Sequence, residues 1–281
     1  MCGPRPENGA FGLRVPAKNA DKEDMIMPSI KSPLSVVVIV RNEEKKLDAC
    51  LGSVTWADEI IVVDDMSTDN TIAIARRYTD MIFTRKMDNE GRHRNWAYAQ
   101  AKNKWVLSLD ADEVVTPELK DEIASVLSAD PVENGFTIPR RNYIGSHWVK
   151  YGGWYPSPQL RLFKKDNFKY EEVGVHPRAI MPGPCGHLKS DMLHFSYDDI
   201  AELVRSLNGQ TTKEAEKWIS GGRKMRMSKA IWRAIDRFYR AYIGKKGRRD
   251  GVIGLIVAVN GAMYQVLSYA KYRIKNAEPK T

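Results

Sequence analysis

The sequence predicts an α/β protein in which a mostly parallel sheet is flanked by helices. Short apolar runs alternate with helical segments from about residue 33 onwards, which is the pattern of successive βαβ units. Acidic or polar residues directly follow three of the predicted strands, and the carboxyl ends of parallel strands meet at the edge of a sheet where ligands bind. These residues are Asn42, Glu43, Asp64, Asp65, Asp110 and Asp112. The pattern therefore predicts a ligand crevice lined by acidic and polar side chains.

The first part of the predicted sheet contains two strands, each followed by a helix. Residues 35–40 form a β-branched strand, and Asn42 is expected to cap a helix that runs to about residue 53. Residues 59–63 form the second strand. Residues 67–69 (Ser-Thr-Asp) offer caps for the helix that follows it.

The next elements complete the first half of the predicted domain. Residues 81–84 form a strand, residues 90–101 a helix, and residues 104–109 a fourth strand. After it, Thr116 and Pro117 begin a helix that runs to about residue 127, since Thr is a good N-cap and Pro is favoured in the first turn.

The fourth strand ends at two carboxylates one residue apart, Asp110 and Asp112. Strand alternation would send both side chains to the same side of the sheet. Paired carboxylates suit Mg²⁺, which binds one or two of them together with substrate phosphates. No Gly-rich phosphate loop of the G-x-G-x-x-G or Walker type occurs, which argues against a P-loop NTPase or an NAD-dependent dehydrogenase.

Four segments occur in a fixed order: V-V-V-I-V-R-N-E-E, W-A-D-E-I-I-V-V-D-D-M-S-T-D-N-T, R-H-R-N-W-A and W-V-L-S-L-D-A-D-E. Together they resemble the family 2 glycosyltransferases, and in particular their bacterial lipopolysaccharide-core branch. The resemblance covers roughly residues 33–200 and is densest in the first half. It implies a GT-A fold, a nucleotide-sugar donor such as a UDP-sugar, a divalent cation (Mg²⁺ or Mn²⁺) and inversion at the anomeric carbon.

The resemblance also implies roles for individual residues. The residues expected to bind the nucleotide sugar are Val40, Asn42, Glu43, Asp64, Arg94, Asn95 and Asp110. Those expected at the metal are Asp112, Asp110 and His194, and those expected at the acceptor are Trp154, Tyr155 and Arg161. Two positions depart from the family pattern: Asp65 replaces a serine and is read as a turn residue, and His93 replaces a glutamine.

The residue that would act as catalytic base departs from the family as well. The W-Y-P-D element of the family carries an aspartate suited to this role, but the matching residue here is Ser157, whose hydroxyl is a poor base. Glu172 or His176 is expected to take its place. His176 has an ordinary pKa near 6.5, which would let it accept a proton at neutral pH.

Charge is concentrated near the C-terminus. Residues 213–249 contain thirteen Lys or Arg and three Asp or Glu, a balance of +10 in a chain whose net charge is +9. Apolar residues recur there at helical spacing, which predicts a basic amphipathic helix that docks on an anionic membrane or packs on the catalytic domain. Residues 252–270 are strongly apolar but contain Asn260 and Gln265, so an in-plane, reentrant or packed helix is favoured over a span.

These features predict three regions: a disordered tail over 1–32, a catalytic domain over 33–200 with its halves at 33–115 and 116–200, and a helical, basic extension over 201–275. Three scattered cysteines and the lack of a recognisable signal peptide favour a cytoplasmic protein on the inner face of the cytoplasmic membrane. No nucleic-acid module is recognisable.

Two other interpretations stay open. A polyprenyl-phosphate sugar synthase would need no strong base because its acceptor is already a phosphate. A non-catalytic scaffold that binds nucleotide sugars is disfavoured by the intact pair of carboxylates.

Overall fold

The computed structural model describes residues 32–173 and 177–277. Its main sheet has seven strands in the order β12-β6-β9-β4-β1-β2-β3. The four strands of the N-terminal half are parallel: β1 (Leu34–Val40), β2 (Glu59–Asp64), β3 (Ile82–Thr84) and β4 (Trp105–Asp110). The rest of the sheet consists of β6 (Gly135–Ile138), β9 (Gln159–Lys164) and β12 (Cys185–His187), and β9 runs antiparallel to both β4 and β6. The predicted α/β fold with a mostly parallel sheet is confirmed.

Helices cover both faces of this sheet. They are α1 (Leu47–Gly52), α2 (Thr71–Ala75), α3 (Glu90–Ala99) and α4 (Pro117–Ser128). Alternate residues of β1 divide the core in two: Val36 and Val38 pack with α1, α2 and α4, whereas Val37 packs with α3 on the opposite face. Because both faces are covered, the strands are apolar on both sides, as buried parallel strands are.

The loop after β1 differs from the prediction. The helix was expected to begin at Asn42, but α1 begins at Leu47. Asn42 has a positive φ of 54°, and its Oδ1 accepts a hydrogen bond of 2.8 Å from the N–H of Thr68 in the loop after β2. The asparagine therefore joins two loops instead of capping a helix. In contrast, the prediction for α4 is confirmed, since Thr116 Oγ1 accepts the N–H of Leu119 at 3.2 Å.

A second, four-stranded sheet lies beside the first. Its strands are β5 (Glu113–Val115), β7 (Arg140–Ile144), β8 (His147–Trp148) and β13 (Met192–Tyr197), in the order β5-β13-β7-β8. A third, small sheet consists of two antiparallel strands, β10 (Lys169–Tyr170) and β11 (Ala179–Ile180). Only Ala111 and Asp112 separate the end of β4 from the start of β5, so the two larger sheets meet at this turn.

The C-terminal part is helical. It contains α5 (Ile200–Ser220), α6 (Met227–Tyr239), a π-helical turn (Arg240–Gly244), a 3-10 turn (Gly247–Asp250) and α7 (Gly251–Ala277). Val257 of α7 is buried against Leu203 of α5, and Tyr272 of α7 is buried against Trp218 of α5. The helical stretch Gly247–Asn276 is long and apolar enough to cross a membrane by length and composition, and 28% of its most apolar window is buried.

Candidate active site

The crevice lies where the strand order reverses. The chain runs from β1 to β2 to β3 on one side and then returns to place β4 on the other side of β1. In the sheet register, Ile39 lies beside Asp110 and Val40 lies beside Asp64. The predicted residues at the ends of β1, β2 and β4 therefore share one edge, at the position where open α/β sheets bind ligands.

The loops after β1 and β2 form the floor on one side. Asp64 is 2% exposed, and its carboxylate accepts the N–H of Ser67 at 3.1 Å and 3.2 Å. Val40 is buried, and its carbonyl accepts the N–H of Asp65 at 2.8 Å, which joins the ends of β1 and β2. Asp65 is also buried, and it accepts hydrogen bonds from Arg41 at 3.0 Å and from the N–H of Met87 at 2.7 Å. These bonds join two other loops, and the interpretation of Asp65 as a turn residue stays a prediction.

Glu43 lies on the metal-motif side of the same loop. Burial, followed by the nearby charge of Asp112, raises the pKa of Glu43 to about 7 from an ordinary value of 4.5. The carboxyl is therefore close enough to Asp112 for their charges to repel, and it titrates near neutral pH.

Asp110 is held between two arginines. Arg94 of α3 approaches its Oδ1 at 3.3 Å, and Arg161 of β9 contacts its Oδ2. Burial would raise the pKa of Asp110, but the charges of Arg161 and Arg94 outweigh it and keep the pKa well below the ordinary range. Asp110 is therefore a permanent carboxylate whose charge is already compensated within the protein.

Glu113 supports this arrangement from below. It is fully buried, its Oε2 accepts the N–H of Asp110 at 3.0 Å, and its Oε1 accepts bonds from Arg161 at 2.7 Å and Arg140 at 3.0 Å. Arg161 was expected at the acceptor, but it is 5% exposed and contacts Asp110 and Glu113 instead. The role of Glu113 was not predicted from the sequence. Its position directly after Asp112 and before two valines was a usable signal, because a charged residue at the start of an apolar strand needs a buried partner.

Asp112 occupies a different environment. Strand alternation was expected to orient it like Asp110, but β4 ends at Asp110 and Asp112 lies in the turn to β5. Its Oδ2 is 3.3 Å from His194 Nε2, and its side chain is 23% exposed. The structure therefore brings the predicted metal residues Asp112 and His194 together, by pairing β5 with β13.

His194 is oriented from behind by two polar side chains. Its Nδ1 lies 2.7 Å from Asn142 Oδ1 and 3.0 Å from Ser196 Oγ. Asn142 in turn donates from its Nδ2 to the carbonyl of Trp154. Asn142 is buried in β7 and has no motif around it, so only the parallel pairing of β7 with β13 reveals its role.

The two aromatic residues expected at the acceptor are half-buried. Trp154 packs against Tyr197, with ring centroids 6.3 Å apart. Tyr155 stands edge-on to Trp148 at 5.3 Å, and its hydroxyl reaches Asp191 at 3.5 Å. Both rings are therefore fixed by neighbours, with their remaining surface facing solvent.

Helix α3 supplies the remaining candidates. Asn95 bonds both the N–H and the carbonyl of Tyr170, at 2.7 Å and 2.9 Å, so its amide fastens β10 to the helix. His93 is fully buried, and neither of its ring nitrogens has a hydrogen-bond partner in the described part of the chain. Burial, followed by the charge of Arg85, lowers its pKa.

Of the two expected bases, Glu172 lies at the N-terminal end of α3, where its carbonyl accepts a hydrogen bond from Asn89 Nδ2 at 3.2 Å. Glu172 is paired with Arg92 of α3 at 3.2 Å, and its side chain is 58% exposed. His176 lies outside the described residues. The charge of Glu172 is therefore partly compensated by Arg92 at the start of α3.

Comparison with known proteins assigns the chain to a family. The family model described as glycosyl transferase family 2 matches residues 35–181, from β1 through β11. The lipopolysaccharide core biosynthesis glycosyltransferase LpsC of Rhizobium meliloti (strain 1021) is 28% identical over 254 residues, which cover 88% of this chain and 94% of LpsC. An uncharacterized glycosyltransferase of Rickettsia conorii is 23% identical and covers 90% of this chain and 94% of its own length.

Among solved structures, Staphylococcus aureus TarS 1–349 in complex with UDP aligns with 89% of this chain and 93% of its own, at 16% identity and a TM-score of 0.44. The family match spans more than half of the chain and contains Asp64, Asp110 and Asp112. The chain is therefore a transferase that belongs to glycosyl transferase family 2.

Proposed function

We propose that this protein is a metal-dependent, inverting glycosyltransferase that moves a sugar from a nucleotide-sugar donor, a UDP-sugar, to a glycan or lipid-linked acceptor. The observation that carries the proposal is the turn at the end of β4. There, Asp112 and His194 lie 3.3 Å apart at the reversal of strand order. This is where the diphosphate of a bound nucleotide sugar would lie.

The residues at the turn fit a divalent cation. Within residues 32–173 and 177–277, no three His, Cys, Asp or Glu side chains are grouped to hold a metal by themselves. Mg²⁺ commonly takes one or two carboxylates and completes its shell with water and substrate phosphates. Asp112, whose only close side-chain partner in the described chain is His194, is suited to this role, whereas Asp110 is already engaged by two arginines. When bound, the cation would act as a Lewis acid on the diphosphate leaving group.

The remaining groups of the site have separate roles in this proposal. Arg94, which is partly exposed and charged, would contact the diphosphate beside Asp110. Asn42, Asp64 and the backbone of Val40 would border the nucleoside, and Trp154 and Tyr155 would border the acceptor. An acceptor hydroxyl would attack the anomeric carbon from the face opposite the diphosphate, which inverts the configuration.

The metal assignment is tested by calorimetry of UDP binding. We expect the wild type to bind UDP in Mn²⁺ and to lose most of its affinity in EDTA, and we expect Asp112→Asn to bind weakly in both. Asp121→Asn, which removes an exposed carboxylate from α4, is the matched control and should behave like the wild type. Equal affinity in Mn²⁺ and EDTA for the wild type and Asp112→Asn would refute the assignment.

A hydroxyl acceptor needs a group that takes its proton, and we propose Glu172 or His176 for this step. Glu172→Gln or His176→Ala should lower kcat by about 10²-fold or more, the usual contribution of a general base, and leave UDP affinity unchanged. Glu171→Gln is the neighbouring control. Full transfer by both variants would favour the second candidate function, a polyprenyl-phosphate sugar synthase, whose phosphate acceptor needs no base.

The serine at position 157 supports this second candidate, a polyprenyl-phosphate sugar synthase. The family aspartate is absent at this position, and the backbone carbonyl of Ser157 is held by Arg140 Nε at 3.3 Å. Transfer to polyprenyl phosphate, but not to any sugar hydroxyl, would establish it.

The cellular setting is proposed from the relatives and from the C-terminal helices. LpsC is named for lipopolysaccharide core biosynthesis, so we propose a role in lipopolysaccharide or other cell-envelope glycan synthesis on the cytoplasmic face of the inner membrane. Helix α6 exposes large apolar side chains beside its basic residues, among them Trp232 and Ile235, each 65% exposed. Exposed apolar residues with flanking cations are the composition of a helix that lies in an anionic membrane surface.

Liposome flotation of the full chain tests this setting. Binding to anionic vesicles should fall as salt is added, because surface charges are screened, and it should fall further for Ile235→Glu. Val132→Glu places the same charge on an exposed valine of the catalytic domain and should bind like the wild type. If the wild type stays in solution at low salt, α6 is not a membrane-docking helix.

A further inference from the structure

A basic pocket lies between the acceptor half of the catalytic domain and the C-terminal helices. Its volume is about 360 Å³, within the range of small-ligand pockets. One wall is formed by Trp154 and the loop before it. The opposite wall carries three cations: Arg237 of α6, Arg240 at the start of the π-helical turn, and Lys245.

Two of these cations lack a carboxylate partner within the described residues. Arg240 is paired with Asp236 one turn earlier on the same helix. Arg237 lies over the ring of Tyr264 at 5.2 Å, and in the described part of the chain neither Arg237 nor Lys245 forms an ion pair. The pocket therefore holds an excess of positive charge that an anion would compensate.

Lys245 is held in place by the loop that faces it. Its carbonyl accepts the N–H of Gly152 at 3.0 Å, and its Nζ lies 2.7 Å from where a Cβ on Gly153 would be. Gly153 has a φ of +88°, a conformation that favours glycine. The same loop is tied again by the N–H of Tyr151, which donates to Asp250 at 2.8 Å. The glycine therefore leaves room for the exposed side chain of Lys245, whose backbone is bonded to the facing loop.

A chain of hydrogen bonds joins this pocket to the metal-binding turn. The carbonyl of Trp154 accepts Asn142 Nδ2, Asn142 Oδ1 bonds His194 Nδ1 at 2.7 Å, and His194 Nε2 lies 3.3 Å from Asp112. The pocket wall and the metal motif are therefore two side chains apart. Trp154, which borders the acceptor in the proposed reaction, also lines the pocket, so a group held here would lie beside the acceptor.

We propose that this pocket binds a phosphate group carried by the acceptor glycan, with Arg237 and Lys245 as its ligands. Guanidinium groups bind phosphate through paired hydrogen bonds and ammonium groups bind it as point charges, so both residue types suit a phosphomonoester. The inference rests on the proposed function, because it takes the bound molecule to be the acceptor. It adds a substrate class: glycans that carry a phosphate near the hydroxyl that is glycosylated.

The test compares binding of glucose 6-phosphate and glucose to the full chain in UDP and Mn²⁺, measured by calorimetry. The phosphorylated sugar should bind and glucose should not. Arg237→Gln and Lys245→Gln should each weaken its binding about tenfold or more, the equivalent of one charge-assisted hydrogen bond. Arg233→Gln and Lys229→Gln remove the same charges from α6 outside the pocket and should bind like the wild type. Gly153→Ala keeps every charge but displaces Lys245, and it should also weaken binding.

Measurements with UDP and with vesicles identify the occupant of the pocket. UDP affinity should be the same in all variants, because none of the substituted residues borders the nucleotide in the proposed function. If the wild type does not bind UDP at all, the proposed function is wrong, whereas sugar-phosphate binding that depends on Arg237 and Lys245 would still support the pocket. Equal weakening in pocket and control variants would overturn the inference in favour of unspecific charge attraction. If only vesicles with phosphatidic acid, and not the sugar phosphate, bind in a manner that depends on Arg237 and Lys245, the occupant is a lipid headgroup and the inference is wrong.

Discussion

Replacement of Arg161 by methionine should destabilise the whole catalytic domain. Arg161 is 5% exposed and contacts both Asp110 and Glu113, so its removal leaves a fully buried glutamate with Arg140 as its remaining cation. If Arg161 instead served mainly to bind the acceptor, its loss would raise KM and leave the stability unchanged. The substitution therefore separates a supporting role from a binding role.

The magnitude follows from the burial of Arg161 and Glu113. Removal of one partner from a buried ion pair costs about 3–5 kcal/mol, and here Glu113 would keep Arg140 as its one remaining cation. The side chains of Arg161 and Glu113 are 6% and 0% exposed, so solvent screens the pair little. The pair Arg77–Asp48, whose side chains are 58% and 53% exposed, is the matched contrast and should contribute at most about 1 kcal/mol.

Urea unfolding followed by circular dichroism measures both effects in the same protein. We expect the free energy of unfolding to fall by about 3–5 kcal/mol for Arg161→Met and by less than about 1 kcal/mol for Arg77→Met. The double variant Arg161→Met with Glu113→Gln should recover part of the lost free energy of unfolding, because it also removes the buried negative charge that Arg161 compensated. A loss below about 1 kcal/mol for Arg161→Met would refute the reasoning and favour an acceptor role for this arginine.

Two further predictions concern stability. Since burial and the charge of Asp112 raise the pKa of Glu43 to about 7, the native state binds more protons than the unfolded chain between pH 4.5 and 7, and stability falls as the pH rises through this window. Glu43→Gln should therefore stabilise the protein at pH 8, by on the order of 1 kcal/mol after screening at a half-buried site, and have little effect at pH 4; equal melting shifts at both pH values would contradict this. Thr116→Ala removes the N-cap of α4 and should cost about 1 kcal/mol, while Thr116→Ser should cost less; equal losses in the two variants would exclude the hydroxyl as the cause.

The strands and helices of the N-terminal half were largely predicted from the sequence, because the local apolar pattern and the overall fold agree there. The predicted strand at 59–63 is observed as Glu59–Asp64, and the strand at 104–109 as Trp105–Asp110. These segments are buried on both faces, so their apolar runs identify them without any knowledge of their neighbours. Helix α4 was equally readable, since its cap and its first proline are adjacent in sequence.

The candidate site was less predictable where contacts are long-range. His194 meets Asp112 because β13 pairs with β5, and Asn142 meets His194 because β7 pairs with β13. Neither pairing can be recognised from neighbouring residues in the sequence, because the register between distant strands is determined only when the whole fold is packed. Asn42 failed as a cap for the same reason: its partner is Thr68, which lies in another loop.

The two-residue turn between β4 and β5 constrains how this enzyme can vary. Asp110 belongs to one sheet and Glu113 to the other, and the N–H of the first bonds the carboxylate of the second. An insertion or deletion in this turn would shift β5 by one residue against β13 and turn every side chain of that strand to its opposite face. The spacing between Asp110 and Glu113 is therefore required by the connection between the two sheets, whether or not a metal ion binds there. A descendant with another residue in place of Asp112 would keep this joint between the sheets, whereas one with a longer or shorter turn would not.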